Sequence, residues 1–156
     1  MKVSIAVAAT ISLAGCTTLP PASQHIDVTK TIVSSVERAT PGMMAAAYAA
    51  FDNPGAQDTL IEVSCDCADR VEIHHMVGEG EDRKMVVEPT FPITANSESL
   101  IEPPGLEWHL MLMDVKYPIP VGTEIEMTLV FRNAGPKKYR LKAVNGTRAA
   151  WDAYDD

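Results

Sequence analysis

The side chains with the most chemistry to offer lie between positions 74 and 113: His74 and Met76, Met85, then His109, Met111 and Met113. Extended backbone sends residues i and i+2 to the same side, about 6.5–7 Å apart. On a strand, His109, Met111 and Met113 therefore form one row. A hairpin completes the set. With Glu79-Gly80 as a two-residue loop, positions 78 and 81 pair, and His74 stands directly opposite Met85, where Cβ atoms are about 4.5–5.5 Å apart. Two imidazoles and two thioethers held by strands make a soft, neutral donor set with no thiolate and no carboxylate. Such a set suits Cu(I) far better than magnesium or calcium, and better than zinc.

Neighbouring residues sort by face. Val71, Ile73, His75 and Val77 share one side of a strand, and Glu72, His74 and Met76 share the other. His75 on the apolar side reads as a core or interface histidine with a hydrogen-bond partner rather than a ligand. Met76 and Met113 read as accessory or exchange ligands, and Glu72 as a source of weak long-range attraction for a bound cation. Met43, Met44 and Met127 read as packing. Trp108 packs beside the site or in the core, and His25 is solvated. Cys65 and Cys67 flank Asp66 and leave three readings open: a disulfide, a second soft-metal site, or loop cysteines of no consequence. Free thiol pairs rarely persist in an oxidising compartment, and a disulfide across one residue closes a tight ring. A blue-copper centre needs one Cys with two His, and nothing near His109 supplies the thiolate.

The order His74, ten residues, Met85, twenty-three residues, His109-x-Met111 resembles the copper-binding motif of the periplasmic PCu(A)C copper chaperones. Arg38-Ala39-Thr40-Pro41 ahead of Ala45-Ala46-Ala47-Tyr48, Val71-Glu72-Ile73-His74 entering the motif, and Leu110-Met111-Leu112-Met113 leaving it extend the resemblance over residues 32 to 135. The interval from Met85 to His109 is slightly longer than the family's, with the extra residues in the connector 93–104. The resemblance implies an all-β, cupredoxin-like antiparallel Greek-key β-sandwich. It also implies one Cu(I) held by His74, Met85, His109 and Met111, and delivery to a copper-accepting partner such as a cytochrome oxidase subunit.

The elements that must position these residues follow from the rest of the chain. Residues 1–15 read as a lipoprotein signal peptide: Lys2, an apolar run from Val3 to Leu13, and Leu13-Ala14-Gly15-Cys16 in the form of a lipobox. Cys16 is then the lipidated residue that anchors the protein to a membrane of the periplasm, inner or outer. An ordinary secretory signal is the alternative. The run is too short for a spanning helix, which needs about 20 residues. Losing residues 1–15 takes Lys2 from the 13 basic residues, leaves 21 acidic ones, and gives a net charge of −9. Such a domain is a poor partner for nucleic acid or anionic lipid, so attachment falls to the acyl chains. Residues 16–30, with Pro20-Pro21, read as a linker, 31–144 as the sandwich and 145–156 as a tail.

Short alternating segments punctuated by Pro41-Gly42, Asn53-Pro54-Gly55, Pro103-Pro104-Gly105 and Asn133-Ala134-Gly135-Pro136 predict roughly seven to nine antiparallel strands. Glu124 to Phe131 is the clearest, with Ile125, Met127, Leu129 and Phe131 on one side. The alanines of 43–51 have helical propensity, but Pro41-Gly42 before them and Asn53-Pro54-Gly55 after them favour a strand. A domain of this size buries about two-thirds of its unfolded surface and needs no metal to fold. No Ser/His/Asp set, carboxylate pair or phosphate-cradling glycine loop argues for an enzyme. The rival to a metal carrier is a lipid-anchored interaction module whose His/Met cluster is packing.

Overall fold

The computed structural model describes residues 25–101, 107–146, 149 and 152. Segment 1–15, Cys16 and most of the 16–30 linker and the 145–156 tail lie outside the described residues. Ten strands follow one another: β1 (Asp27–Ser34), β2 (Ala45–Asn53), β3 (Asp58–Cys65), β4 (Ala68–Val77), β5 (Lys84–Glu88), β6 (Phe91–Ile93), β7 (Ser97–Ile101), β8 (Trp108–Val115), β9 (Glu124–Phe131) and β10 (Gly135–Val144). They pair in the order β5-β4-β8-β2-β1-β10-β9-β3-β6, with β7 also on β2. The sheet closes over a single main core. Ile73 of β4 and Leu110 and Leu112 of β8 meet Leu60 of β3, Leu129 and Phe131 of β9 and Leu141 of β10 there, all buried. This is an all-β, cupredoxin-like β-sandwich.

Local sequence explains the strands that carry the site. β9 alternates as its sequence does, Ile125, Met127, Leu129 and Phe131 buried and Glu124 and Glu126 exposed. The alanine-rich segment is a strand, and burial explains its composition. Ala45, Ala47, Ala49 and Phe51 enter the main core, while Tyr48 and Ala50 join Ile32 in a second cluster on the opposite face. A strand covered on both faces does not alternate polar with apolar, and small side chains let both layers approach. One edge of β2 is shared: Ala45–Ala47 pair with β8 and Ala49–Asn53 pair with β7.

Three features depart from the expected plan. Among the described residues pairing is antiparallel except between β1 and β10, which run parallel with Ile32 opposite Lys142 and Ser34 opposite Val144. A parallel pair needs a long crossover, and here almost the whole domain supplies it, so no local pattern announces the pairing. Among the described residues the strands number ten, with short β6 and β7 formed between Met85 and His109. β1 starts at Asp27, inside the stretch read as linker, and its first half lines up with Asp52 and Phe51 of β2.

Candidate metal centre

β5, β4 and β8 lie side by side, with β5 at the sheet edge. Between β4 and β8, His74 stands directly opposite His109, Glu72 opposite Met111 and Arg70 opposite Met113. The two imidazoles meet edge to face, centroids 5.4 Å apart and planes at 77°. The β4–β5 pairing differs from the expected hairpin: His74 is opposite Val87, and Met85 is opposite Met76. The loop is longer than two residues, because a 3₁₀ turn at Gly80–Asp82 occupies it, closed by Asp82 N–H donating to the Glu79 carbonyl at 3.1 Å. Gly78 makes that turn possible. Its φ is +85°, and a Cβ there would lie 2.6 Å from the Asp82 carbonyl oxygen.

The register is displaced by two residues, an even slip, so every side chain keeps its face. Met85 thus becomes a diagonal rather than a direct neighbour of His74, within reach of a long side chain. Its Sδ lies 2.7 Å from His74 Nδ1. Enclosure is graded across the group: His74 is 7% exposed and Met85 46%, with His109, Met111, Met76 and Met113 half-buried. Met111 sits one step along β8 from His109. Met76 and Met113 lie on the same face, at positions opposite Met85 and Arg70.

Charge enters through Glu72, which sequence reasoning assigned only a distant attraction. Its Oε2 lies 2.8 Å from His74 Nε2 and its Oε1 accepts from Arg70 Nε at 2.7 Å. Strand parity could have found the contact, since 72 and 74 share a face. Those hydrogen bonds, the one to His74 first and that to Arg70 second, hold the Glu72 carboxyl below its usual range. Arg70 also reaches Asp114 Oδ2 at 3.5 Å, and Asp114 Oδ1 accepts the Gly42 N–H at 3.0 Å. Burial, and secondarily the charge of His74, push the His109 imidazole below its ordinary value.

The other face of β4 holds His75. Its ring stacks on Trp108 with centroids 4.1 Å apart and planes 3° from parallel, and Glu88 Oε1 lies 3.8 Å from its Nδ1. Trp108 in turn meets Phe91 edge-on at 5.1 Å. Cys65 and Cys67 are joined as a disulfide at the β3–β4 turn, with Cys67 fully buried. Cys67 stands seven residues before His74, about 23 Å of extended chain at about 3.3 Å per residue. Among the described residues no group of three or more His, Cys, Asp or Glu is arranged to hold a metal.

The chain matches the LpqE-like family, described as a lipoprotein family, over residues 26–143. No curated protein matches it. Among solved structures, the copper-bound PCuAC domain from PmoF2 superposes with a TM-score of 0.64 at 24% identity, covering 80% of this chain and 97% of that one. The apo PmoF2 PCuAC domain gives 0.55 at 26% identity, with 80% and 97% covered. The solution structure of apo-DR1885 from Deinococcus radiodurans gives 0.57 at 20% identity, with 94% and 95% covered. These likenesses establish the fold.

Proposed function

The chain belongs to the LpqE-like family, and from that premise we propose that it is a Cu(I) carrier of the cell envelope. One ion is held by His74, Met85, His109 and Met111 and passed to a copper-accepting protein, such as a respiratory oxidase subunit. The observation that carries this reading is the meeting of His74 Nδ1 and Met85 Sδ at 2.7 Å, with the His109 ring centred 5.4 Å from that of His74. An imidazole nitrogen and a thioether sulfur facing each other are two soft, neutral donors. A bound copper needs more room than 2.7 Å leaves between them, and Met85 on the edge strand is the side chain free to move outward.

Similarity to a copper-bound PCuAC domain supports the same reading. Thioethers bind Cu(I) without the deprotonation that a thiol requires, and they cannot close into disulfides. The exposure of Met85 favours transfer, because an incoming acceptor ligand can reach the metal from that side. Anchoring through Cys16 fits the family's description and would keep the carrier at a membrane. The test is a titration with Cu(I) under reducing conditions against a chromophoric chelator. One copper per chain is expected; no uptake above the chelator's competition would favour the interaction-module reading.

A further inference from the structure

We propose that Glu72 and Arg70 together fix which nitrogen of His74 carries its proton, and so aim the Nδ1 lone pair at the metal position; the inference rests on the copper reading of this cluster. A carboxylate can only accept hydrogen bonds, and Glu72 Oε2 lies 2.8 Å from His74 Nε2. In the neutral ring the proton then sits on Nε2, and Nδ1 is left as an acceptor. Nδ1 faces Met85 Sδ, which is also an acceptor, at 2.7 Å. Without Glu72, the better arrangement for the metal-free site would place N–H against the sulfur. The carboxylate therefore selects the tautomer that can ligate, as outer hydrogen-bond partners do for metal-bound histidines generally.

Arg70 decides what may stand at position 72. Its Nε donates to Glu72 Oε1 at 2.7 Å, and Asp114 steadies the guanidinium from the far side at 3.5 Å. A guanidinium has donors only, so residue 72 must offer it an acceptor. A carboxylate has acceptors on both arms and satisfies Arg70 and His74 at once. An amide has one acceptor arm and one donor arm. In Glu72→Gln, Arg70 claims the amide oxygen and the NH₂ turns to His74. Nε2 must then accept, and the proton moves to Nδ1, where it points at the metal position. Removing Arg70 as well releases the amide, which can turn its oxygen back to Nε2–H.

The test follows the proton directly. Long-range ¹H–¹⁵N spectra of the labelled, metal-free full chain at about pH 8, above the ordinary imidazole value of about 6.5, report the protonated nitrogen of His74. The expected results are Nε2–H in the wild type, Nδ1–H in Glu72→Gln, and Nε2–H again in Arg70→Ala/Glu72→Gln. Cu(I) competition on the same proteins should show a loss of about 10- to 100-fold for Glu72→Gln and recovery in the double variant. Affinity alone does not discriminate, since removing Arg70 also restores the local net charge; the tautomer does. Retention of Nε2–H in Glu72→Gln, or persistence of Nδ1–H in the double variant, overturns the proposal. Because the spectra are taken without metal, a wild type that binds no copper would instead overturn the carrier reading and leave the tautomer assignment standing.

Discussion

In the proposed site His74 is the enclosed donor and Met85 the open one, and that asymmetry would give them different work. Imidazole is the stronger donor to Cu(I), so His74→Ala or His109→Ala should weaken binding by more than about tenfold, or 1.4 kcal/mol. Met85→Ala or Met111→Ala should cost less in affinity, and Met85→Ala should slow transfer to an acceptor. Competition titrations and stopped-flow transfer to a second chelator measure the two effects separately. Oxidation of Met85 to its sulfoxide should weaken binding as well. Protons compete for the imidazoles. The neutral ring is the ligand, and a lowered pKa keeps His109 neutral further into acid. The share of the affinity loss due to His109 should therefore set in on the acid side of about 6.5, the ordinary imidazole value. Protonation of the His109 ring followed by NMR in the metal-free chain checks this, and a midpoint well above that value would contradict it.

At the scale of elements, the β4–β5 hairpin brings Met85 to His74 and the β4–β8 pairing brings His109 to it, and Gly78 is the residue on which the hairpin depends. Gly78→Ala forces a positive φ on an L side chain and drives its Cβ into the Asp82 carbonyl. Chemical denaturation should show a loss of about 1–3 kcal/mol, with weaker Cu(I) binding as β5 and Met85 shift. The disulfide belongs to the far end of β4. Cys65→Ser/Cys67→Ser should lower stability, because Cys67 is buried, yet keep one copper per chain with affinity changed by less than about tenfold. Much of this architecture was legible from residue spacing. An assumed two-residue hairpin put His74 with Met85, and strand parity put His109 with Met111; the first pairing kept its shared face because the register slip was even. The 3₁₀ turn was not legible, since Glu79-Gly80 carries a turn signal whether the loop is short or long. Nor was the β1–β10 pairing, whose partners stand more than a hundred residues apart. The Glu72–His74 contact was within reach of the same parity rule, but a carboxylate beside a neutral donor set was read as a distant charge.

The whole molecule is a sandwich that the metal does not build. Its main core runs through β2, β3, β4, β8, β9 and β10, and the cluster lies on the other face of β4 and β8 from Ile73, Leu110 and Leu112. The metal-free protein should therefore unfold cooperatively, and Cu(I) at 100 times its Kd should add about 2.7 kcal/mol to the stability of the folded state by mass action. Melting curves with and without a Cu(I) chelator check this; a domain that unfolds when copper is stripped would make the ion part of the fold. The acidic surface, a net charge of −8 over the full chain, concentrates cations near the protein without coordinating them. X-ray absorption at the copper edge of the Cu(I)-loaded chain reads the proposed ligand set directly. Two imidazole nitrogens and two sulfurs on one copper are expected, with one sulfur lost in Met85→Ala and one imidazole lost in His109→Ala. A shell of thiolate sulfur, or a spectrum unchanged by either substitution, would contradict it.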